Sequence, residues 1–263
     1  KPILIVPGDT NSIFFEIFFK SLKSNKFKSP LILITSLNIF QYQMKKFNFN
    51  KNINLISLDN VSNYSSFKSA INIINVNYNK KNKSKAYIKE CFEIAFKILK
   101  TNLTNKFLNG PINKTKFLDR KYLGITEYIA AKFKINKIAM LIYNKDLSVC
   151  PITTHLPIKL VSKTINQKLI KEKIELINDF FKKVIGFKPK IAVVGLNPHC
   201  ESILKFKEDK KIVIPAVKSL KKKGYKIYGP FPADTIFLKQ NRKKYNVVLG
   251  MYHDQVLSPI KAL

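Results

Sequence analysis

Lys190-Ile191-Ala192-Val193-Val194-Gly195-Leu196-Asn197-Pro198-His199 reads as a short strand that stops in a polar turn. Four consecutive small or branched apolar residues suit a strand covered on both faces. Gly195 and Asn197-Pro198 then end it. The same unit recurs along the chain. Residues 3–6 form an apolar strand running into Pro7-Gly8-Asp9-Thr10, and residues 31–35 form a second. Phe107-Leu108-Asn109-Gly110-Pro111 is a strand entering a turn. Residues 137–143 read as another strand. Residues 147–152 end in Thr153-Thr154-His155, and residues 246–251 end in Tyr252-His253-Asp254-Gln255. Helical spacing of apolar residues fills the gaps at 12–22, 87–99, 124–133, 166–184 (with a lysine-rich outer face) and 212–223, the last ended by Gly224. Residues 75–85 are Asn- and Lys-rich and read as a surface loop. Strands alternating with helices predict an α/β fold with a largely parallel sheet.

The chain has 263 residues, 46% of them hydrophobic, which is enough for a sizeable core and excludes general disorder. No uninterrupted apolar run approaches about 20 residues, so no membrane-spanning helix is expected, and no signal-peptide core is evident. The net charge of +32 invites a nucleic-acid reading. Of the 48 Lys and Arg residues, however, only Arg120 and Arg242 are arginine, the side chain whose planar fork reads phosphates and bases. Lys, Asn, Ile and Phe are abundant together, which suggests drift toward A/T-rich codons. No specific nucleic-acid partner is expected. Cys91, Cys150 and Cys200 are odd in number, widely spaced and outside any CxxC, so buried thiols in a reducing cytoplasm are expected.

Histidine placement is the most informative feature. The chain has three, His155, His199 and His253, and each follows directly on the end of a predicted strand. That edge is where open α/β sheets bind ligands. Three imidazoles converging there would suit a divalent metal with a position left for substrate. Their spacings, 44 and 54 residues, are too long for a local metal motif, so spacing alone does not assign them. Unrelated surface or capping histidines are the alternative. Among the scarce carboxylates, Asp234 follows two prolines in Gly229-Pro230-Phe231-Pro232-Ala233-Asp234-Thr235 and is either a helix N-cap or a catalytic acid or base. Asp254 follows His253 and is placed to tune it or to accept a proton. No G-x-G-x-x-G, Walker A or G-x-S-x-G motif occurs.

At these residues the sequence resembles the 4-hydroxythreonine-4-phosphate dehydrogenase family of pyridoxal phosphate (vitamin B6) biosynthesis. Six blocks in family order carry the resemblance: Asn109-Gly110-Pro111-Ile112-Asn113-Lys114, Gly124-Ile125-Thr126-Glu127-Tyr128, Thr153-Thr154-His155-Leu156-Pro157, Gly195-Leu196-Asn197-Pro198-His199, Gly229 to Thr235, and Tyr252-His253-Asp254-Gln255. Pro7-Gly8-Asp9 and Glu16 carry it in the first third.

The resemblance implies a two-domain α/β/α fold like that of isocitrate and isopropylmalate dehydrogenases, with the active site in the interdomain cleft. Residues 1–118 would form the first, cofactor-side domain, and residues 119–263 the second, for metal, substrate and dimerisation. It implies an enzyme that oxidises 4-phosphooxy-L-threonine with NAD (or NADP) and decarboxylates the product to 3-amino-2-oxopropyl phosphate. It places His155, His199 and His253 as ligands of a divalent metal, zinc first, with magnesium or cobalt as alternatives. It makes the metal site shared between the subunits of a homodimer. Thr126 and Lys261 match substrate-binding residues, and Asp254 and Asp234 are the candidate catalytic carboxylates.

Three departures stand out. The family's glycine- and proline-rich first loop is Gly8-Asp9-Thr10-Asn11-Ser12-Ile13-Phe14-Phe15-Glu16 here, Ile125 replaces a substrate-binding histidine, and the chain stops after Lys261, before further family substrate residues. A C-terminally truncated member is therefore expected. A phosphothreonate-type dehydrogenase, a non-catalytic descendant and, from charge alone, a polyanion-binding protein are the rival readings.

Overall fold

The computed structural model describes residues 1–24, 27–65, 69–79, 84–119, 121–200 and 207–263. The chain divides into two compact units, Lys1–Lys121 and Tyr122–Leu263.

In the first unit, strands β1 (Ile3–Val6), β2 (Leu31–Thr35), β3 (Ile53–Leu55), β4 (Ile71–Asn75) and β5 (Phe107–Asn109) form an all-parallel sheet in the order β3-β4-β2-β1-β5. Its helices are α1 (Phe14–Ser24), α2 (Leu37–Lys46), α3 (Ser84–Lys100) and α4 (Lys114–Leu118). Strand residues alternate between two buried faces, as a period of two requires. Ile5, Leu31, Leu33, Ile71 and Ile73 meet Phe14, Phe15, Phe18 and Phe19 of α1 and Phe40 of α2. Leu4, Ile32 and Ile34 are buried on the opposite side, and α3 packs on β1 and β2. Each such side chain contributes about 1.5–3 kcal/mol by burial.

The second unit repeats the architecture. Strands β6 (Ser148–Thr153), β7 (Ile191–Val194), β8 (Ile227–Phe231) and β9 (Val247–Tyr252) pair in parallel in the order β6-β9-β7-β8. Helices α5 (Ile125–Lys132), α6 (Ile158–Thr164), α7 (Gln167–Phe180), α8 (Ile214–Lys222), α9 (Ala233–Ile236), α10 (Lys239–Arg242) and α11 (His253–Ala262) complete it. Cys150, Ile191, Val193, Val247 and Leu249 face Ile170, Ile174 and Ile177 of α7 and Val217 and Leu220 of α8. Val149, Ala192, Val194 and Val248 face Ile236 of α9 and Val256 and Leu257 of α11. Both sheets are thus covered on both faces, the α/β arrangement expected from the strand–helix alternation.

Several expectations need correction. The strand expected over 137–143 does not form; Ile142 makes only an isolated antiparallel bridge with Val149. Its side chains do alternate, Ala139 and Leu141 toward one core and Met140 and Ile142 toward the other, which is why it reads as a strand. Its Ile138 carbonyl, however, accepts from the buried Lys173 ammonium instead of from a ladder. Lys173 therefore lies on the inner side of α7, not on the solvated lysine face, and burial holds its pKa below the usual lysine value.

The long helix expected over 166–184 is α-helical only to Phe180. It then widens to a π-helix over Phe181–Ile185 and ends at Gly186, whose φ is +99°. The helix ended by Gly224 begins earlier than expected, as a π-turn over Asp209–Val213. Asp234 is not an N-cap: Pro232 holds that position, and the exposed Asp234 lies in the first turn of α9. Of the surface loop expected over 75–85, residues 80–83 lie outside the described residues, and Ser84 already begins α3.

Candidate active site

The sheet order places two of the histidines side by side. β9 lies between β6 and β7, and Thr153 of β6 pairs with Tyr252 of β9. The residues that follow, His155 and His253, therefore leave the same sheet edge side by side. Their ring centroids are 6.2 Å apart and the planes are tilted by 37°. Thr153 Oγ1 donates to the Met251 carbonyl at 2.8 Å and ties the two strand ends together.

Each of these rings has a carboxylate beside Nδ1. His253 Nδ1 donates to Asp254 Oδ1 at 2.9 Å. His155 Nδ1 lies 3.9 Å from Glu127 Oε1, which accepts from Thr154 Oγ1 at 3.2 Å. At 2.9 Å the Asp254 carboxylate fixes the His253 proton on Nδ1 and leaves its Nε2 with the lone pair, whereas the 3.9 Å between Glu127 and His155 is an ion-pair distance rather than a hydrogen bond. Gly124 makes room for this pair: a Cβ there would meet Glu127 Oε2 at 2.7 Å and His155 Cε1 at 3.0 Å.

His199 emerges on the other flank of β9, from the turn after β7. It and Cys200 hold left-handed backbone, with φ of 57° and 58°. Asp209 sets this turn. Its carboxylate is fully buried and accepts from Leu196 N at 2.7 Å, Asn197 N at 2.9 Å and Asn197 Nδ2 at 3.0 Å. Gln255 links the turn to β9, its amide accepting from Met251 N at 2.7 Å and donating to the Gly195 carbonyl at 2.8 Å. His199 and Asp234 line one recess of about 280 Å³ with Leu196, Asn197, Tyr252 and Gln255. Burial raises the pKa of the neighbouring Cys200 thiol.

His155 and His253 are thus brought together, and His199 joins Asp234. Among the described residues, no group of three or more His, Cys, Asp or Glu side chains is arranged to hold a metal ion. Asp254 is exposed and bonded to His253. Thr126 and Lys261 are exposed on α5 and α11, and neither lines the His199 recess. Sequence reasoning missed the positions of Glu127 and Asp209. Glu127 lies inside the Gly124-Ile125-Thr126-Glu127-Tyr128 block, and its signal is a carboxylate two positions past the start of α5. Asp209 lies in a run of charged residues and carries no sequence signal of burial.

At the corresponding edge of the first unit, the chain order reverses between β1 and β5, a topological switch point. Asp9 N donates to the Pro111 carbonyl, and Asp9 Oδ2 accepts from Asn113 N at 2.7 Å. Gly8 is required there, since its φ is +82° and a Cβ would lie 2.3 Å from the Pro111 oxygen. Asp9, Lys85, Asn113 and Lys116 line a recess of about 430 Å³ beside this latch.

Residues 21–263 match the family model described as pyridoxal phosphate biosynthetic protein PdxA. A 4-hydroxythreonine-4-phosphate dehydrogenase from Bacteroides thetaiotaomicron is 30% identical over 98% of this chain and 74% of its own length. A D-threonate 4-phosphate dehydrogenase from Salmonella typhimurium is 29% identical over 100% of this chain and 84% of its own length. Matches to some other curated relatives span only about half of their length. The crystal structure of a 4-hydroxythreonine-4-phosphate dehydrogenase from Klebsiella pneumoniae superposes with a TM-score of 0.82 at 27% identity, covering 100% of this chain and 84% of that one.

Proposed function

The chain belongs to the PdxA family of pyridoxal phosphate biosynthetic proteins, and from that premise we propose that it is a divalent-metal- and NAD-dependent dehydrogenase. Its substrate is 4-phosphooxy-L-threonine, which it oxidises and decarboxylates to 3-amino-2-oxopropyl phosphate. The observation that carries the reading is the pairing of His155 with His253 at adjacent strand ends, with Asp254 bonded to His253 Nδ1 and Glu127 3.9 Å from His155 Nδ1.

This donor set fits a divalent ion. Two imidazoles presenting Nε2, backed by carboxylates, are the usual first and second layers of a zinc site. His199 of a second copy of the chain supplies the third ligand, so the working form is a homodimer. Zinc is favoured by the all-nitrogen set, with cobalt and magnesium as substitutes. When bound, the ion polarises the substrate's hydroxyl and carbonyl oxygens.

The remaining roles fall to the chain's own residues. Asp254 lies against His253 and accepts the hydroxyl proton. Asp234, in the recess with His199, is the second carboxylate of the composite site. Thr126 and Lys261 bind the substrate, with Lys261 as a point charge for its phosphate. The first unit takes the dinucleotide beside Asp9 and Lys116. The second holds metal, substrate and the dimer contact. Three free thiols and the absence, among the described residues, of a helix long and apolar enough to cross a membrane suit a cytoplasmic enzyme.

A second reading is favoured by Ile125. It begins α5 directly after Gly124, where the resemblance places a substrate-binding histidine, and isoleucine donates no hydrogen bond. A phosphothreonate-type substrate is the alternative this leaves. Initial rates of NADH formation with 4-phosphooxy-L-threonine and with D-threonate 4-phosphate, with and without chelator, test both. Chelator-sensitive turnover of the first compound is expected. Preference for the second, or turnover indifferent to the chelator, overturns the assignment.

A further inference from the structure

His253 and His155 are held unequally. The carboxylate partner of His253 is its chain neighbour and is exposed, whereas Glu127 comes from α5 and is largely shielded. Glu127 Oε2 is buried and has no hydrogen-bond partner among the described residues. A carboxylate oxygen left so is costly unless it acts on a nearby group. The group at hand is the His155 ring. Thr154 Oγ1 holds Oε1 at 3.2 Å, and Oε1 lies 3.9 Å from His155 Nδ1. The missing side chain at Gly124 lets the carboxylate and the ring approach each other, because a Cβ would touch both.

We propose that Glu127 is the positioning residue of His155. Its carboxylate, fixed by Thr154 and 3.9 Å from Nδ1, favours the His155 proton on that side through its negative charge and so turns the Nε2 lone pair outward. Loss of that charge frees the ring to take the Nε2–H tautomer and to rotate. The consequence for metal affinity rests on the reading of His155 as a ligand; the tautomer itself does not.

The test uses the full chain, free of metal, with ¹⁵N-labelled histidine. Long-range ¹H–¹⁵N spectra distinguish the two tautomers of His155. The Nδ1–H form is expected in the unaltered protein and, less fully, in Glu127→Gln, whose amide oxygen keeps only a partial negative charge. The Nε2–H form is expected to dominate in Glu127→Met, which keeps the length and loses the charge. Cobalt titration of the same proteins should show roughly 10–100-fold weaker binding for Glu127→Met and a smaller loss for Glu127→Gln. An Nε2–H tautomer in the unaltered protein, a measurement that needs no variant, overturns the proposal. So does a Glu127→Met protein with unchanged tautomer and cobalt affinity. His155→Ala separates the two claims: undiminished cobalt binding there removes His155 as a ligand, while the tautomer spectra still decide what Glu127 does.

Discussion

The rings of His155 and His253 stand 6.2 Å apart because Thr153 and Tyr252, the last residues of two neighbouring parallel strands, are in register. His199, one strand further along the same edge, joins a different group of side chains. The proposed three-histidine site takes His199 from a second copy of the chain. Mixing His199→Ala with His155→Ala subunits tests this. Each variant alone should bind little cobalt. A randomised mixture should recover about a quarter of the sites, since half of its dimers are mixed and each of those has one complete site. No recovery on mixing, with dimers confirmed by sedimentation, would show that the ligands act within one chain.

Asp209 is expected to be costly to change although it touches no substrate. Asp209→Ala leaves the half-buried amides of Leu196 and Asn197 without that acceptor. A loss of about 2–4 kcal/mol in urea unfolding is expected. Asp209→Asn, which keeps one oxygen, should lose about half as much. An Asp209→Ala protein as stable as the parent would show that the His199 turn is held by other contacts.

Gly124→Ala separates local crowding from backbone strain. The residue has φ of −163°, which any amino acid adopts, so only the contacts with Glu127 and His155 are disturbed. Cobalt affinity should fall roughly tenfold while the melting temperature moves by no more than a few degrees. Unchanged affinity would mean that the ring and carboxylate yield without consequence.

Stability should decline in alkali. Burial pushes the Cys91 and Cys150 thiols up to about 12 from 9.0, and the buried Tyr87 hydroxyl is raised as well. In the unfolded chain these thiols ionise near their ordinary value. The stability they contribute is fully present below pH 9.0 and is lost as pH rises toward about 12. Each thiol adds a slope of about 1.4 kcal/mol per pH unit in that window. Cys150→Ala should unfold at lower urea near neutrality but show a shallower alkaline decline. An undiminished slope would assign the decline to other groups.

Ile125→His tests the substrate reading. One hydrogen bond to a charged group is worth about 1.5–3 kcal/mol, so kcat/KM for 4-phosphooxy-L-threonine should rise about ten- to hundredfold. A fall in activity, or a gain confined to D-threonate 4-phosphate, would mark Ile125 as an adaptation to a different substrate.

The apolar runs of β1, β2, β6, β7 and β9 and the turns that end them were legible from residue order alone, because a doubly covered strand needs an unbroken apolar segment. β4 was not legible: Asn72 interrupts Ile71-Asn72-Ile73-Ile74, yet it is fully buried and bonded to the Leu31 carbonyl, Asn54 and Ser65. α11 was hidden by Pro259, an interior helix breaker that this helix accommodates.

The sequence by itself determined the α/β class, the three histidines at strand ends and the six motif blocks that carry the family. Tertiary structure decided that the rings of His155 and His253 stand side by side, because that depends on strand order, and β9 enters between strands that precede it in the chain. It also decided that Glu127, Lys173 and Asp209 are buried or largely shielded. A charged residue in a lysine-rich chain looks the same whether solvated or enclosed, and only the neighbours that fold around it remove the water.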